Sequence, residues 1–250
     1  MRLDHVVHVV ADRERATEAL RSLGLRMVTG GEHPGWGTHN ALAYFEDLSY
    51  IELVAVHNRA EAAASAFGAA VLRFAEAGDG VLTFPLRTAE IDGDVARLRA
   101  RGIAIADPTP GSRRLPDGSL LTWRLALAPF PLPFLIQWEA PDEARRADLA
   151  ARGALNPPGR RVAEGFWAVT DLEEAARRLA EGYGWPLGAP CDHPHLAARC
   201  LPTGSGITLC APTGPGPVQE RLDRRGEGPV GYSLSRQGAP VQILGSTILL

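Results

Sequence analysis

Hydrophobic and polar positions alternate in an order that repeats along this chain. The β-branched run "LDHVVHVV" (3–10) predicts a buried strand. Asp12 then stands as an N-cap before "RERATEALRSLGL". There Ala16, Ala19, Leu20 and Leu23 are apolar at helical spacing until Gly24 stops the pattern. A short strand over 25–29 leads into the loop "GGEHPGWGTHN" (30–40). Two more strands, "THNALAYF" (38–45) and "YIELVAV" (50–56), follow across the turn "EDLS". These elements make one β-α-β-β-β unit over residues 1–58.

The same order returns over residues 80–140. "VLTFPLRT" (81–88) predicts a strand, "IDGDVARLRARG" (91–102) a helix, and "IAIAD" (103–107) a strand. After a long loop, "PTPGSRRLPDG", come "SLLTWRLAL" (119–127) and "PFLIQWE" (133–139). The helix ends Gly24 and Gly102 lie 78 residues apart, a period that suggests duplication of a half-domain. Between the two modules, "AEAAASAFGAAVLRFAEAG" (60–78) predicts a closely packed helical linker. Beyond a linker around "ALNPPGRR", a third, looser copy is expected over 160–250. It starts with "GFWAVTDLEEAARRLAEGYGW" and continues through the strand candidates "AARCLP", "GITLCAP", "VGYSLS" and "STILL".

Composition narrows the chemistry. The 250 residues are 45% hydrophobic and 22% charged with net charge -3, an ordinary globular balance without a basic stripe for nucleic acid. No apolar run is long enough to span a membrane, and "MRLDHVVHVVADRER" turns charged too early for an export signal. The expectation is therefore a cytoplasmic protein. Cys191, Cys200 and Cys210 are too few for a disulfide framework and are expected to be reduced. The cluster Cys191, His193, His195 and Cys200 fits no zinc-finger spacing. All 26 basic residues are arginine, which excludes a Schiff-base lysine and a Walker A phosphate loop.

A strand with an early histidine, an Asp-capped helix, "GGEHPGWGTHNAL", "YIEL", "PDGSLLTWRLA" and "PFLIQWE" together resemble the vicinal oxygen chelate superfamily. Within it they are most similar to the glyoxalase-like domain branch. The resemblance implies an α+β fold of tandem βαβββ modules, with curled mixed sheets and helices outside, forming one domain over residues 1–145. It also implies a cup that, in metal-dependent members, holds a divalent ion by two side chains from each module. First-module ligands would be His5 and Glu52. In the second module, matching "YIELV" to "LIQWE" sets Gln137 against Glu52, and the 78-residue offset sets Thr83 against His5. Threonine and glutamine are weak donors, so a metal and a metal-free cup both stay open.

The residues carry their own reading. Period-two alternation puts His5, Val7 and Val9 on one strand face and Tyr50, Glu52 and Val54 on another. A carboxylate inside an apolar strand needs a partner, so Glu52 is either ion-paired, amide-bound or metal-bound. His5, Glu52 and His33 are the candidate catalytic residues. Trp36, Asn40, Tyr44, Arg114 and Trp123 are the candidate substrate contacts, and Arg113 shares the second-module loop with Arg114. His33 and Asn40 could equally brace the glycine turns. Two functions follow: a lyase, isomerase or dioxygenase-type enzyme on a small oxygenated substrate, or a metal-free protein that sequesters a small molecule. A homodimer is expected only on the ground that curled sheets leave edges.

Overall fold

The computed structural model describes all residues except 115–117, 119 and 235–238, and Arg114 through its backbone alone. Asp4 splits the first strand into β1 (Arg2–Leu3) and β2 (His5–Val9). Helix α1 (Arg13–Ser22) starts where the Asp12 carboxylate accepts from Arg15 N at 3.0 Å, a cap worth about 1 kcal/mol. It stops before Gly24, whose φ of +78° is left-handed. Strands β3 (Val28–His33), β4 (Thr38–Tyr44) and β5 (Tyr50–Val56) complete the first module. Helices α2 (Arg59–Ala63) and α3 (Ala66–Ala75) form the linker. The second module comprises β6 (Gly80–Thr83), β7 (Leu86–Arg87), α4 (Ile91–Ala100), β8 (Thr109–Arg114), β9 (Leu120–Ala126) and β10 (Leu135–Trp138).

One strand order recurs. The first sheet runs β3-β4-β5-β2-β6 and the second β1-β7-β10-β9-β8, so the last strand of each module lies beside its first. That adjacent pair is parallel, β2 with β5 and β7 with β10, and the other pairs within these two sheets are antiparallel. Each module also lends its first strand to the other sheet: β6 extends the first and β1 the second. The two sheets are therefore joined through their first strands and curl around a shared concave face.

The remainder repeats the order once more. Helix α5 (Asp142–Ala151) precedes β11 (Glu164–Ala168) and α6 (Leu172–Ala175), which continues into a π-helical turn over Ala176–Glu181. Strands β12 (Cys191–His193), β13 (Ala198–Pro202) and β14 (Ile207–Pro212) follow. After α7 (Pro217–Arg225) come β15 (Gly228–Ser233), β16 (Pro240–Ile243) and β17 (Ser246–Leu249). Their sheet, β12-β13-β14-β11-β15-β17-β16, opens with a module in the same strand order. It continues with three strands that match the first, third and fourth strands of another. No helix among the described residues is long and apolar enough to cross a membrane.

The main core lies between the sheets and the helices α1 and α4. Val6, Leu20, Ile51, Leu53, Leu86, Ile91, Leu135, Trp167 and Leu209 belong to it. A second apolar cluster fills the concave face: Val7, Val9, Val54, Trp123, Leu125, Phe134 and Ile136 pack there against Phe67 and Val71 of α3. So α1 and α4 cover the outside, as expected, whereas α3 closes the cup from within.

Four local expectations are corrected. "IAIAD" (103–107) lies in no strand; Ile103 and Ile105 are buried in the helix-side core, so their hydrophobicity reflects packing without a ladder. The neighbouring "TPGSRR" is the strand β8 instead, and it tolerates Pro110 because it is an edge. Gly30 to His33 belong to β3 through a bulge, leaving only Pro34 to Gly37 as turn. Cys200 and Cys210, opposite each other on β13 and β14, are disulfide-bonded rather than reduced, while Cys191 is free.

His8 points to the helix side and joins the first sheet to the last hairpin through its Nε2, 2.7 Å from the Leu244 carbonyl. Burial holds its pKa below the ordinary 6.5, against upward pulls from that carbonyl and from Asp79. The folded state thus takes up a proton less readily than the unfolded chain. Stability should fall as pH drops below 6.5, by at most about 1.4 kcal/mol per pH unit for one proton. Urea titrations over this range should show a flatter slope in His8→Gln, and an unchanged slope would contradict this role.

Candidate functional site

The centre of the cup is a buried carboxylate. Glu52 sits mid-strand on β5 with Val54 and Tyr50 on the same face, and β2 lies parallel beside it with His5 opposite Tyr50 and Val7 opposite Glu52. His5, His33, Tyr50, Glu52 and Arg113 line a cavity of about 30 Å³ walled by Trp36, Phe67, Trp123, Phe134 and Trp138. That volume holds roughly two waters, so a ligand must displace α3 or part of the aromatic wall. A larger open groove of about 730 Å³ runs past Arg2, Glu90 and Arg97 outside the cup.

Two imidazoles and an amide meet Glu52. His5 Nε2 lies 3.5 Å from Oε2, and His33 Nε2 lies 3.5 Å from Oε1. Asn40 sits between His33 and the carboxylate: its Nδ2 donates to Glu52 Oε1 and is 3.1 Å from His33 Nε2. His33 is held in turn by Thr38, 2.8 Å from Nδ1. Burial alone would lift the Glu52 pKa. The hydrogen bonds from His33 and His5 overcome it and hold the carboxyl well below its ordinary 4.5.

Behind His5 lies a second carboxylate. Asp4 Oδ1 is 2.7 Å from His5 Nδ1, and Asp4 Oδ2 accepts from Arg87 Nε and, at 3.1 Å, from Trp138 Nε1. Burial opposes ionisation of Asp4, yet His5 and Arg87 keep its pKa far below the usual carboxyl range. For His5, burial disfavours the imidazolium, and the bonds to Asp4 and Glu52 reverse this and raise the pKa above 6.5. Asp4 thereby orients the ring and leaves Nε2 facing the cavity and Glu52. Tyr50 stacks on His5 at 4.3 Å, and burial with two nearby carboxylates keeps its hydroxyl protonated.

The structure sorts the expected residues. His5, Glu52, His33, Trp36 and Trp123 line the cavity. Asn40 and Tyr44 do not: Asn40 braces Glu52, and the Tyr44 hydroxyl accepts from Arg113 Nη2 at 2.8 Å. The side chain of Arg114 lies outside the described residues; its neighbour Arg113 is the one that enters the cup. Gln137 is misplaced by the sequence match. It faces away from the cup, with Oε1 accepting from Ile91 N at 3.0 Å to start α4. The true register follows from the ladders: Val10 N bonds Val54 O, and 78 residues on Thr88 N bonds Ile136 O. Val54 therefore matches Ile136, and Glu52 matches Phe134. Asp4 escaped notice because strict alternation assigned it to the opposite face; the break between β1 and β2 lets it reach His5.

This register decides the fit of a divalent ion. The second-module counterparts of His5 and Glu52 are Thr83, whose hydroxyl is spent on the Leu132 carbonyl, and Phe134, which has no donor. Both Glu52 oxygens already face His5, His33 and Asn40. Among the described residues no group of three His, Cys, Asp or Glu side chains is arranged to hold a metal ion. The donors present do not fit the four-ligand chelate implied by the resemblance.

A family model described as a glyoxalase-like domain matches residues 3–197. No curated protein sequence matches the chain. Among solved structures, a hypothetical protein from Staphylococcus aureus is similar with a TM-score of 0.78 at 17% identity, covering 99% of this chain and 97% of that one. A mutant of 4-hydroxymandelate synthase from Streptomyces coelicolor gives a TM-score of 0.60 at 19% identity, covering 93% and 70%. Methylmalonyl-CoA epimerase from Mycobacterium tuberculosis gives 0.42 at 24%, covering 58% and 91%. At these identities the first two likenesses show a shared fold.

The Glu52 support reaches back to Gly30. A Cβ at Gly30 would lie 1.8 Å from Asn40 Oδ1 and 2.5 Å from Leu42 Cδ1. Gly30→Ala should push the Asn40 amide off Glu52 and destabilise the fold by about 1–3 kcal/mol in urea titration. A change below about 0.5 kcal/mol would show that Asn40 does not depend on that space.

Proposed function

The chain belongs to the glyoxalase-like domain family, and on that premise we propose that the cup is the active site of a small-molecule enzyme. Its reaction moves a proton on an oxygenated substrate, as an isomerase or lyase does. The observation that carries this reading is the buried line Asp4, His5, Glu52 ending at an aromatic-walled cavity. Burying two carboxylates costs several kcal/mol each unless they are well paired, and a binding protein for apolar compounds gains nothing from that cost.

His5 is the proton carrier. Asp4 fixes its Nδ1 side, so Nε2 is the atom presented to substrate, and Glu52 stabilises the imidazolium formed when Nε2 takes a proton. Glu52 itself, held well below its ordinary pKa, is a weak base and serves as the charge partner. Tyr50, kept as a phenol by burial, is a donor for a developing oxyanion in the same cavity. Phe67, Trp123 and Phe134 exclude water from the reacting atoms. The donor set does not fit the four-ligand chelate, so the proton transfer is assigned to protein side chains. Sequestration of an aromatic compound would use the walls of Trp36, Trp123 and Trp138 but leave the ionised line without a task.

A panel of small 2-oxo acids, hydroxy ketones and 2-methyl-branched thioesters incubated in D2O tests this by NMR. At least one member should exchange a C–H adjacent to its carbonyl, and His5→Gln should slow that exchange about 100-fold or more. Glu52→Gln should slow it as well. Exchange in no member, or exchange untouched in His5→Gln, would contradict the reading.

A further inference from the structure

The buried arginines of this protein are not alike. Arg87 is paired with Asp4 and Asp142, and Arg145 with Asp142 while stacking on Trp138. Arg113 is only 5% exposed, yet among the described residues its guanidinium meets no carboxylate, only the neutral Tyr44 hydroxyl. Its Nε is buried without a hydrogen-bond partner. A guanidinium cannot shed its proton at physiological pH, and the Glu52 charge in the same cavity acts on it through space without a hydrogen bond among the described residues, so its Nε still lacks an acceptor.

A second orphan lies beside it. Trp123 Nε1 is also buried without a partner. Trp123 stands opposite Gly111 in the β8–β9 ladder, and its Nε1 would lie 2.3 Å from a Cβ placed on Gly111. Gly111 and Arg113 are two residues apart on β8 and share a face, so the indole N–H and the guanidinium belong to the same patch of cup wall. Both side chains line the cavity, across from His5 and Glu52. Donors buried without acceptors keep their desolvation penalty, larger when charged, and a ligand that brings the acceptors removes it.

We propose that Arg113 and Trp123 Nε1 form a carboxylate subsite, so that the substrate is a small organic anion bound by its carboxylate at the second-module wall. The inference deepens the proton-transfer reading and rests on it for the word substrate, although the subsite stands on its own geometry. The carboxylate neutralises Arg113, and the Glu52 and Asp4 charges repel it from the opposite wall. The rest of the molecule is thereby directed towards His5 Nε2. Gly111 is required because a side chain there would occupy the space over the indole N–H. Tyr44 aims the guanidinium through its hydroxyl.

Acetate and the neutral isostere acetamide are the probes, followed through the indole N–H resonance of Trp123 in two-dimensional NMR at constant ionic strength. Acetate should shift that resonance saturably and acetamide should not. Arg113→Gln should weaken acetate binding at least tenfold and Arg113→Lys should recover part of it; in Trp123→Phe, which lacks the reporter, calorimetric titration should show weakened acetate binding with the fold intact. An equal response to acetamide, an equal response to chloride, or undiminished acetate binding in Arg113→Gln would overturn the subsite. The two proposals fail separately. Acetate held through Arg113 without any catalysed deuterium exchange removes the proton-transfer reading alone. Exchange at full rate in Arg113→Gln removes the carboxylate subsite alone.

Discussion

A carboxylate buried in the middle of an apolar strand sets the terms for the rest of the cup. Glu52 cannot stay ionised in that position without donors, and the first module is arranged to bring them. The parallel neighbour β2 delivers His5, and the antiparallel neighbour β4 delivers Asn40, which also ties in His33 from β3. Each donor makes its own demand. His5 needs Asp4 to keep its ring oriented, Asp4 needs Arg87 and Trp138, and Asn40 needs the missing side chain of Gly30. The requirement thus spreads from one side chain through both sheets, since Asp4 lies at the end of β1 and Arg87 on β7.

The duplication explains how one backbone carries two chemistries. Both modules contribute to the cavity wall, but His5 and Glu52 in the first correspond to Thr83, which does not line the cavity, and Phe134, which does. One half of the cup is an ionised network and the other an aromatic wall that carries the Arg113 cation. The asymmetry gives the cavity a polarity that a symmetric four-ligand site would lack.

Much of this was legible in the sequence where local rules are strict. The period of two predicted that His5 shares a face with Val7 and Val9 and Glu52 with Tyr50 and Val54, and the Asp12 cap and Gly24 stop marked α1 nearly to the residue. The recurrence at 78 residues pointed to a repeat, and the two sheets have the same strand order. What escaped was tertiary. Nothing local shows that the first strand breaks at Asp4, that α3 enters the cup, or that Cys200 faces Cys210 across a ladder. Gln137 was misassigned because "LIQWE" and "YIELV" look alike, whereas the ladder aligns Glu52 with Phe134, three positions earlier. "IAIAD" looked like a strand because apolar residues under a helix alternate as readily as those in a sheet.

The most direct test of the ionised network is the titration of the His5 ring, followed by its nitrogen shifts in the intact protein and in Glu52→Gln. The network requires a pKa above 6.5, a proton retained on Nδ1 against Asp4, and a lower pKa once the Glu52 charge is removed. A pKa at or below 6.5, or one that Glu52→Gln leaves unchanged, would contradict it.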